Sequence, residues 1–261
     1  MRSMNIASTG MLAQQLNVEV ISNNIANLNT TGFKRQRAEF QDLLYQNQRR
    51  VGSNSSDTGT IVPAGVQIGV GVKAAAVYRI TEQGNLLKTD NSLDMAINGR
   101  GFFQIQMPDG TTTYTRAGSF QLSPTGEIVT ADGLVVQPGI TLPADTLAVT
   151  VNANGQVVAQ IAGQTASQIV GQFELAHFAN EAGLENIGNN LLKETPASGT
   201  AVTGAPATTG FGNLQQGFLE TSNVNVVSEI TNLITAQRAY EMNSKVIQVS
   251  DEMASSLNQL R

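Results

Sequence analysis

Between Ser3 and Leu28 the residues Met4, Ala7, Met11, Val18, Ile21, Ile25 and Leu28 recur at alternating three- and four-residue steps, with Gln14 the one polar residue in the series. That spacing predicts a helix with one apolar seam of heptad type. Asn27, Asn29, Thr30, Thr31 and Gly32 follow with the turn chemistry that stops a helix. At the other end, Phe218 to Arg261 contains neither Gly nor Pro, and from Val224 onward the pattern is helical with a wide apolar face. One stripe on it is Val226, Ile230, Leu233, Tyr240 and Ile247; a second, rotated stripe is Met242, Val246, Val249, Met253, Leu257 and Leu260. A helix of this length reaches roughly 55 Å at about 1.5 Å per residue. Two seams need two partners. The N-terminal helix fills one of them, so the other predicts association with further chains.

The interior reads as β. Phe103, Ile105 and Met107 alternate with Gln104 and Gln106, and Leu147, Val149 and Val151 repeat the two-residue period. Turn signals separate such runs at Pro108-Asp109-Gly110, Ser123-Pro124-Thr125-Gly126, Asp132-Gly133 and Asn154-Gly155. Short strands between tight turns predict antiparallel sheets or a small barrel. Residues 46–65 and 195–213 are rich in Gly, Ser, Thr and Asn or Pro and read as loops.

Composition narrows what such a chain does. It has 261 residues, 41% hydrophobic but only 13% charged, with no Cys, no Trp and one His. Absence of Cys removes disulfides, thiol nucleophiles and thiolate metal sites, and His177 alone leaves little for metal binding or general-base chemistry. Net charge is −5, so a basic nucleic-acid footprint is missing. Charge is also unevenly spread. Residues 1–50 carry Arg2, Lys34, Arg35, Arg37, Arg49 and Arg50 against Glu19, Glu39 and Asp42, whereas from Ala117 to Leu192 there is no Lys or Arg at all beside six acids. No run approaches the ~18 apolar residues of a membrane span, and the N-terminus lacks the apolar stretch and cleavage site of a secretory signal.

Each candidate for chemistry has a plainer reading. His177 shares strand parity with Ile169, Phe173 and Leu175, which places it on a buried face as a structural residue, with no nucleophile or ligand set near it in sequence. Asn98-Gly99-Arg100-Gly101 resembles an anion loop but leads into a strand without the following helix that phosphate binding uses. Asp90, Asp94 and Asp109 do not have calcium-loop spacing and read as turn caps. Lys34, Arg35 and Arg37 read as a solvated face. No catalytic, cofactor-binding or metal-binding residue is assigned, and no cofactor.

The segment Asn23-Asn24-Ile25-Ala26-Asn27-Leu28-Asn29-Thr30-Thr31-Gly32-Phe33-Lys34-Arg35 resembles the N-terminal signature of bacterial flagellar basal-body rod and hook proteins. Glu220-Thr221-Ser222-Asn223-Val224-Asn225-Val226, with Ala236-Gln237-Arg238-Ala239-Tyr240-Glu241-Met242-Asn243-Ser244-Lys245, resembles their C-terminal one. The interior from Gly101 to Phe120, and the overall length, are similar to the distal-rod branch in particular. The resemblance implies an α+β fold, in which long N- and C-terminal helices pair as a coiled coil and a central antiparallel β-rich domain lies between them. The implied division is 1–45 with 225–261 as the helical domain, 46–96 with 195–224 as a connecting β and loop region, and 97–194 as an outer β domain.

The resemblance also implies a non-enzymatic structural subunit of the distal rod, which polymerises into a straight, rigid helical tube carrying torque from motor to hook. The expected assembly positions are Met4, Met11, Val18, Ile21, Ile25 and Leu28 at the N-terminus. At the C-terminus they are Val226, Ile230, Leu233, Gln237, Arg238, Tyr240, Asn243, Ile247, Met253 and Leu257. The family motif is carried by Asn24, Asn27, Asn29, Thr31, Gly32, Phe33 and Lys34. Within a distal-rod-type extra segment, Val51, Ser55, Thr60, Ile61 and Pro63 are expected to confer rigidity.

Expected partners are further copies of the chain, neighbouring rod and hook proteins, the basal-body rings and the flagellar type III export apparatus, with no nucleic acid and no integral membrane segment. The expected location is the periplasmic part of the basal body, reached without a cleavable signal. Other readings are a proximal-rod or hook protein, or a peptidoglycan-cleaving enzyme, which needs two carboxyl groups converging on a cleft. An adhesin-like module leaves the terminal helices unexplained.

Overall fold

A computed structural model of the chain describes residues 2–49, 64–164 and 166–259. The fold is α+β, with a helix at each end and strands between them, and the chain divides into two compact units. The first takes Met1–Ile25, Gln36–Tyr78 and Asn225–Arg261; the second takes Ala26–Arg35 and Arg79–Val224.

In the first unit, α1 (Arg2–Ala26) stops where Asn27 begins a turn, its carbonyl accepting from Thr30 N at 3.2 Å. The second helix, α2 (Val226–Gln259), starts two residues later than the apolar pattern alone indicates, because Asn225 caps it. Ser228 N donates to Asn225 Oδ1 at 3.2 Å and Glu229 N to Asn225 O at 3.0 Å, satisfying donors that a helix start leaves open. Strand Gln36–Asp42 pairs with Val72–Arg79, and Tyr45–Arg49 pairs antiparallel with Val66–Gly69. Residues 46–49, which read as loop in sequence, are therefore strand, and Tyr45, Val66 and Ile68 lie exposed on that ribbon. Gly71, at φ +134°, comes so close to Thr9 on α1 that a β-carbon there has no room, and Thr9 Oγ1 accepts from Val72 N at 3.3 Å.

The second unit is built around strand Phe102–Gln106. Thr112–Thr115 pairs along one side of it, while Leu175–His177 and Val135–Val136 share the other, all antiparallel. Leu191–Lys193 and Glu185–Gly188 extend one flank; Ile128–Val129 and Gln121–Leu122 extend the other, and Val202–Gly204 pairs with Leu175–His177. All four turn signals connect consecutive strands, each with its glycine at φ near +80°, a conformation that residues with a β-carbon resist. Both faces of the central strand are covered. Phe103 and Ile105 enter a core with Met95, Ile97, Phe120, Ile128, Phe173 and Leu175, whereas Phe102 packs with Tyr114, Ala176, Phe178 and Leu184. Phe103 meets Phe120 edge-on at 5.0 Å between ring centres, a favoured aromatic geometry.

Further sequence readings change. Leu147 has the parity of Val149 and Val151 but is 72% exposed, because the pairing of Thr146–Val151 with Gln156–Ile161 shifts register between Thr146 and Ala148. A register shift breaks the two-residue alternation. His177 is half-buried, and Ile169 is exposed. Their shared parity does not carry over, since Ile169 lies on Gln168–Gln172 of a separate three-stranded sheet. Residues 195–213 are partly regular, containing strand Val202–Gly204.

Phe103→Ala opens a cavity beside the rings of Phe120 and Phe173 and should cost about 3–5 kcal/mol. Urea denaturation of the full chain followed by near-ultraviolet circular dichroism checks this value.

Candidate functional site

The two signature segments meet within the second unit, at Glu220. Strand Phe218–Glu220 pairs with Leu86–Lys88 and delivers the Glu220 side chain, 1% exposed, into the interior. Its Oε1 accepts from Lys34 Nζ at 2.5 Å and from Gly84 N at 2.9 Å; its Oε2 accepts from Arg116 Nε at 2.7 Å. Lys34 Nζ also donates to Glu82 O at 2.8 Å. Arg116 spends its remaining donors on backbone carbonyls, Nη1 on Gly101 at 2.5 Å and Nη2 on Gly99 at 2.5 Å and Ile97 at 3.2 Å. The Asn98–Gly101 turn thus presents carbonyls to a cation. An anion loop would present N–H groups instead.

Burial pushes the Glu220 carboxyl up, but the charges of Arg116 and Lys34 and their hydrogen bonds overcome this and hold it below the ordinary glutamate range. Burial lowers the Lys34 ammonium, with Glu220 pulling the other way. One carboxylate accepting from two cations and a backbone N–H is the arrangement that makes a buried charge tolerable.

The segments around this group are held by backbone bonds. Gly32 N donates to Glu220 O at 2.8 Å. Gly32 sits at φ +68°, and a β-carbon there meets the backbone of Arg116 and Ala117 at 2.9 Å, so the motif position admits only glycine without displacement. Asn223 Oδ1 accepts from Arg35 N at 2.7 Å, while its Nδ2 donates to Ile80 O and Glu82 O at 3.0 Å each. Thr221 N donates to Asn85 O at 2.8 Å. Residues 32–35 and 80–85 are both stitched to 220–223 in this way.

In the first unit the motif's Asn24, 1% exposed, acts as a backbone mimic. Its Nδ2 donates to Gln36 O and its Oδ1 accepts from Gln36 N, both at 2.8 Å. The same Nδ2 lies 3.4 Å from Glu229 Oε2 on α2.

Among the other motif residues, Asn27 accepts from Thr30 Oγ1 at 3.1 Å; Thr31 and Phe33 are half-buried, and Asn29 is exposed. Lys34 is not on a solvated face: its charge is drawn inside by Glu220, a partner 186 residues away that sequence spacing does not reveal. Of the expected assembly positions, Ile21 is buried, Met4, Met11, Val18, Ile25, Leu28, Val226, Leu233, Asn243 and Ile247 are half-buried, and Ile230, Gln237, Arg238, Tyr240 and Met253 are exposed. The Leu257 side chain and Val51, Ser55, Thr60, Ile61 and Pro63 lie outside the described residues. The partially covered stripe on α2 runs through Glu229, Leu233, Ala236, Asn243, Ile247 and Ser250, more polar than the apolar pattern suggests. Sequence reasoning assigned no role to Glu220, Arg116 or Asn223. The available signal was that Arg116 is the last basic residue before the long stretch without any.

Asp109 is a turn cap, accepting from Thr111 N at 2.9 Å and Thr111 Oγ1 at 2.6 Å, and these bonds hold its carboxyl low. His177 has a shielded Nδ1 without a hydrogen-bond partner and packs edge-on against Phe211.

Three family models match. One described as the D1 domain of flagellar hook protein FlgE/F/G matches residues 96–159; one for the C-terminal part of flagellar basal-body rod FlgEFG proteins matches 215–260; one for flagella basal body rod proteins matches 4–34. The flagellar basal-body rod protein FlgG of Caulobacter vibrioides is 59% identical over 261 residues, all of both chains. The protein of that name from Agrobacterium fabrum is 54% identical over 255 residues, covering 98% of this chain and 97% of the relative. That from Bacillus subtilis is 40% identical over 268 residues, covering 100% and 99%.

Glu220→Ala leaves Lys34 and Arg116 buried without their anion and should cost about 3–5 kcal/mol. Because the folded carboxyl titrates below its unfolded counterpart, its contribution is complete above the unfolded value of about 4.3 and is lost as pH falls through the lower folded value. Urea denaturation of wild type and Glu220→Gln between pH 7 and pH 3 should show the difference between them shrinking below about pH 4.3. A difference constant with pH would remove the charge from the explanation.

Proposed function

The chain belongs to the flagellar basal-body rod protein family, and from that membership we propose how its parts serve a structural subunit of the distal rod. It is an axial protein of the flagellar basal body and not an enzyme. Family membership implies self-assembly and association with other rod and hook proteins. No helix among the described residues is long and apolar enough to cross a membrane.

The single observation that carries the assembly reading is the open face of α2. Met242, Val246, Val249 and Met253 recur at three- and four-residue steps and lie about half exposed, with Val227, Ile230 and Ile234 exposed nearer the helix start. An apolar row of this length on one helix marks an interaction surface. In our reading α1 and α2 of one subunit pair as a coiled coil, and the open row packs against neighbouring subunits. A heterologous contact of this kind, repeated without closing into a ring, gives a helical tube. The residues expected for assembly then divide by role, Met4 to Leu28 and Val226, Leu233 and Ile247 within the subunit, Met253 and Leu257 between subunits.

The domain division given by the resemblance, 1–45 with 225–261, 46–96 with 195–224, and 97–194, fits this arrangement. The stretch from Ala117 to Leu192, without Lys or Arg, suits a surface that turns within surrounding rings without locking to them. Export by the flagellar type III apparatus and a periplasmic position complete the reading. The segment containing Val51, Ser55, Thr60, Ile61 and Pro63 lies in sequence between the two strands of the exposed ribbon, Tyr45–Arg49 and Val66–Gly69. We assign it to contacts between subunits that oppose sliding and keep the tube straight.

Val249 is 50% exposed, so Val249→Asp should change monomer stability by no more than about 0.5 kcal/mol. In the polymer the same carboxylate is buried unpaired, which costs several kcal/mol, and tube formation should be abolished in electron micrographs and sedimentation. Normal tubes from this variant would place the interface elsewhere. Deleting Val51 to Thr60 should leave assembly intact but yield curved or supercoiled polymers, and straight tubes of unchanged stiffness would assign the segment to a plain linker.

A further inference from the structure

Three contacts between α1 and α2 share one register. Ser250 Oγ lies 3.1 Å from Ser3 Oγ, a β-carbon on Gly10 meets Asn243 Nδ2 at 2.9 Å, and Asn24 Nδ2 donates to Glu229 Oε2. From Ser3 to Gly10 to Asn24 the steps on α1 are 7 and 14 residues; from Ser250 to Asn243 to Glu229 the steps on α2 are the same, run backward. The helices are therefore antiparallel at constant register across this span, and the same register sets Asn17 opposite Ala236.

The apolar positions do not explain why this register holds. Met4, Met11, Val18 and Ile25 repeat every seven residues on α1, and Val226, Leu233, Tyr240 and Ile247 do so on α2. Sliding one helix by a heptad again sets apolar against apolar, and Ser3 against Ser250 has little to enforce, while Gly10 leaves room for the Asn243 side chain. Among the described residues, a polar contact with both partners deeply buried also distinguishes the registers. Asn24 is 1% and Glu229 2% exposed, and the Asn24 amide is already fixed in direction by its two bonds to Gln36. A slip that sets Asn24 opposite Ala236 carries Glu229 past the end of α1, and a slip the other way carries Asn24 past the start of α2.

We propose that the buried Asn24–Glu229 contact is the register-setting element of the terminal helix pair, and so decides where the open apolar row of α2 is presented to the next subunit. The inference rests on the pairing of α1 with α2 proposed above. Polar residues within an otherwise apolar helix seam specify register in this way, at some expense of stability.

The sequence contains no cysteine, so introduced pairs report register cleanly. Ser3→Cys with Ser250→Cys reads the observed register. Ser3→Cys with Asn243→Cys and Asn17→Cys with Asn243→Cys each read a slip of one heptad, in opposite directions. A heptad displaces the partners by about 10 Å along the axis, beyond the ~7 Å that a disulfide spans. Oxidation of the full-length chain, followed by the intramolecular cross-linked band on a non-reducing gel, should favour Ser3–Ser250 over both slipped pairs. With Glu229→Leu the preference should fall by about fivefold or more, the factor one buried hydrogen bond supplies. With Glu229→Gln, which keeps an acceptor, it should persist; helix content is followed by circular dichroism in each background.

An unchanged preference in Glu229→Leu overturns the proposal, as does an equal loss in Glu229→Gln. Failure of Ser3–Ser250 to cross-link in the unaltered background overturns the helix pairing itself, and that result is distinguishable because it precedes any change at Glu229.

Discussion

A carboxylate withdrawn from water is stable only when cations and donors replace the water it loses, and Glu220 is the place where that requirement organises this chain. Lys34, Gly84 and Arg116 all reach it, from three stretches widely separated in sequence. Satisfying Arg116 in turn draws in the carbonyls of Ile97, Gly99 and Gly101, immediately before the central strand Phe102–Gln106. The family signatures at the two ends therefore serve the interior of the strand-rich unit as well as the helices. Among their polar residues, Asn24, Lys34, Glu220 and Asn223 spend their hydrogen bonds on holding the fold together.

The helical unit follows a different economy. Its covered stripe on α2 is built of Glu229, Leu233, Ala236, Asn243, Ile247 and Ser250, four of the six small or polar, while the apolar side chains Met242, Val246, Val249 and Met253 face outward. Small residues at a helix contact permit close approach but bury little apolar area, so the subunit alone gains modest hydrophobic stabilisation there. In the assembly proposed above, the larger share comes when another subunit covers the outward row. Stability of the ends and assembly are thereby linked by mass action.

Much of this was legible in the residues themselves. Heptad spacing at both ends, the Asn- and Thr-rich stop after α1, the four Gly-containing turns and the Phe103–Ile105 alternation are local signals, and each depends only on backbone geometry and side-chain period. The outward row on α2 was readable too, because two rotated stripes on one helix exceed what a single partner covers. The signature segments identified the family for the same reason: their information lies in contiguous residues.

What the sequence could not determine are the pairings between residues distant along it. Lys34 reads as one of three solvated cations until Glu220 is brought beside it, and Leu147 keeps its parity but is turned outward by a register shift. Asn24 and Glu229 look like ordinary polar positions on two helices until the antiparallel contact buries both. Periodicity reports which face of an element is apolar, a property of neighbours in the chain. Partner identity, register and the burial of charge depend on which elements the tertiary fold brings together, and only the folded structure decides them.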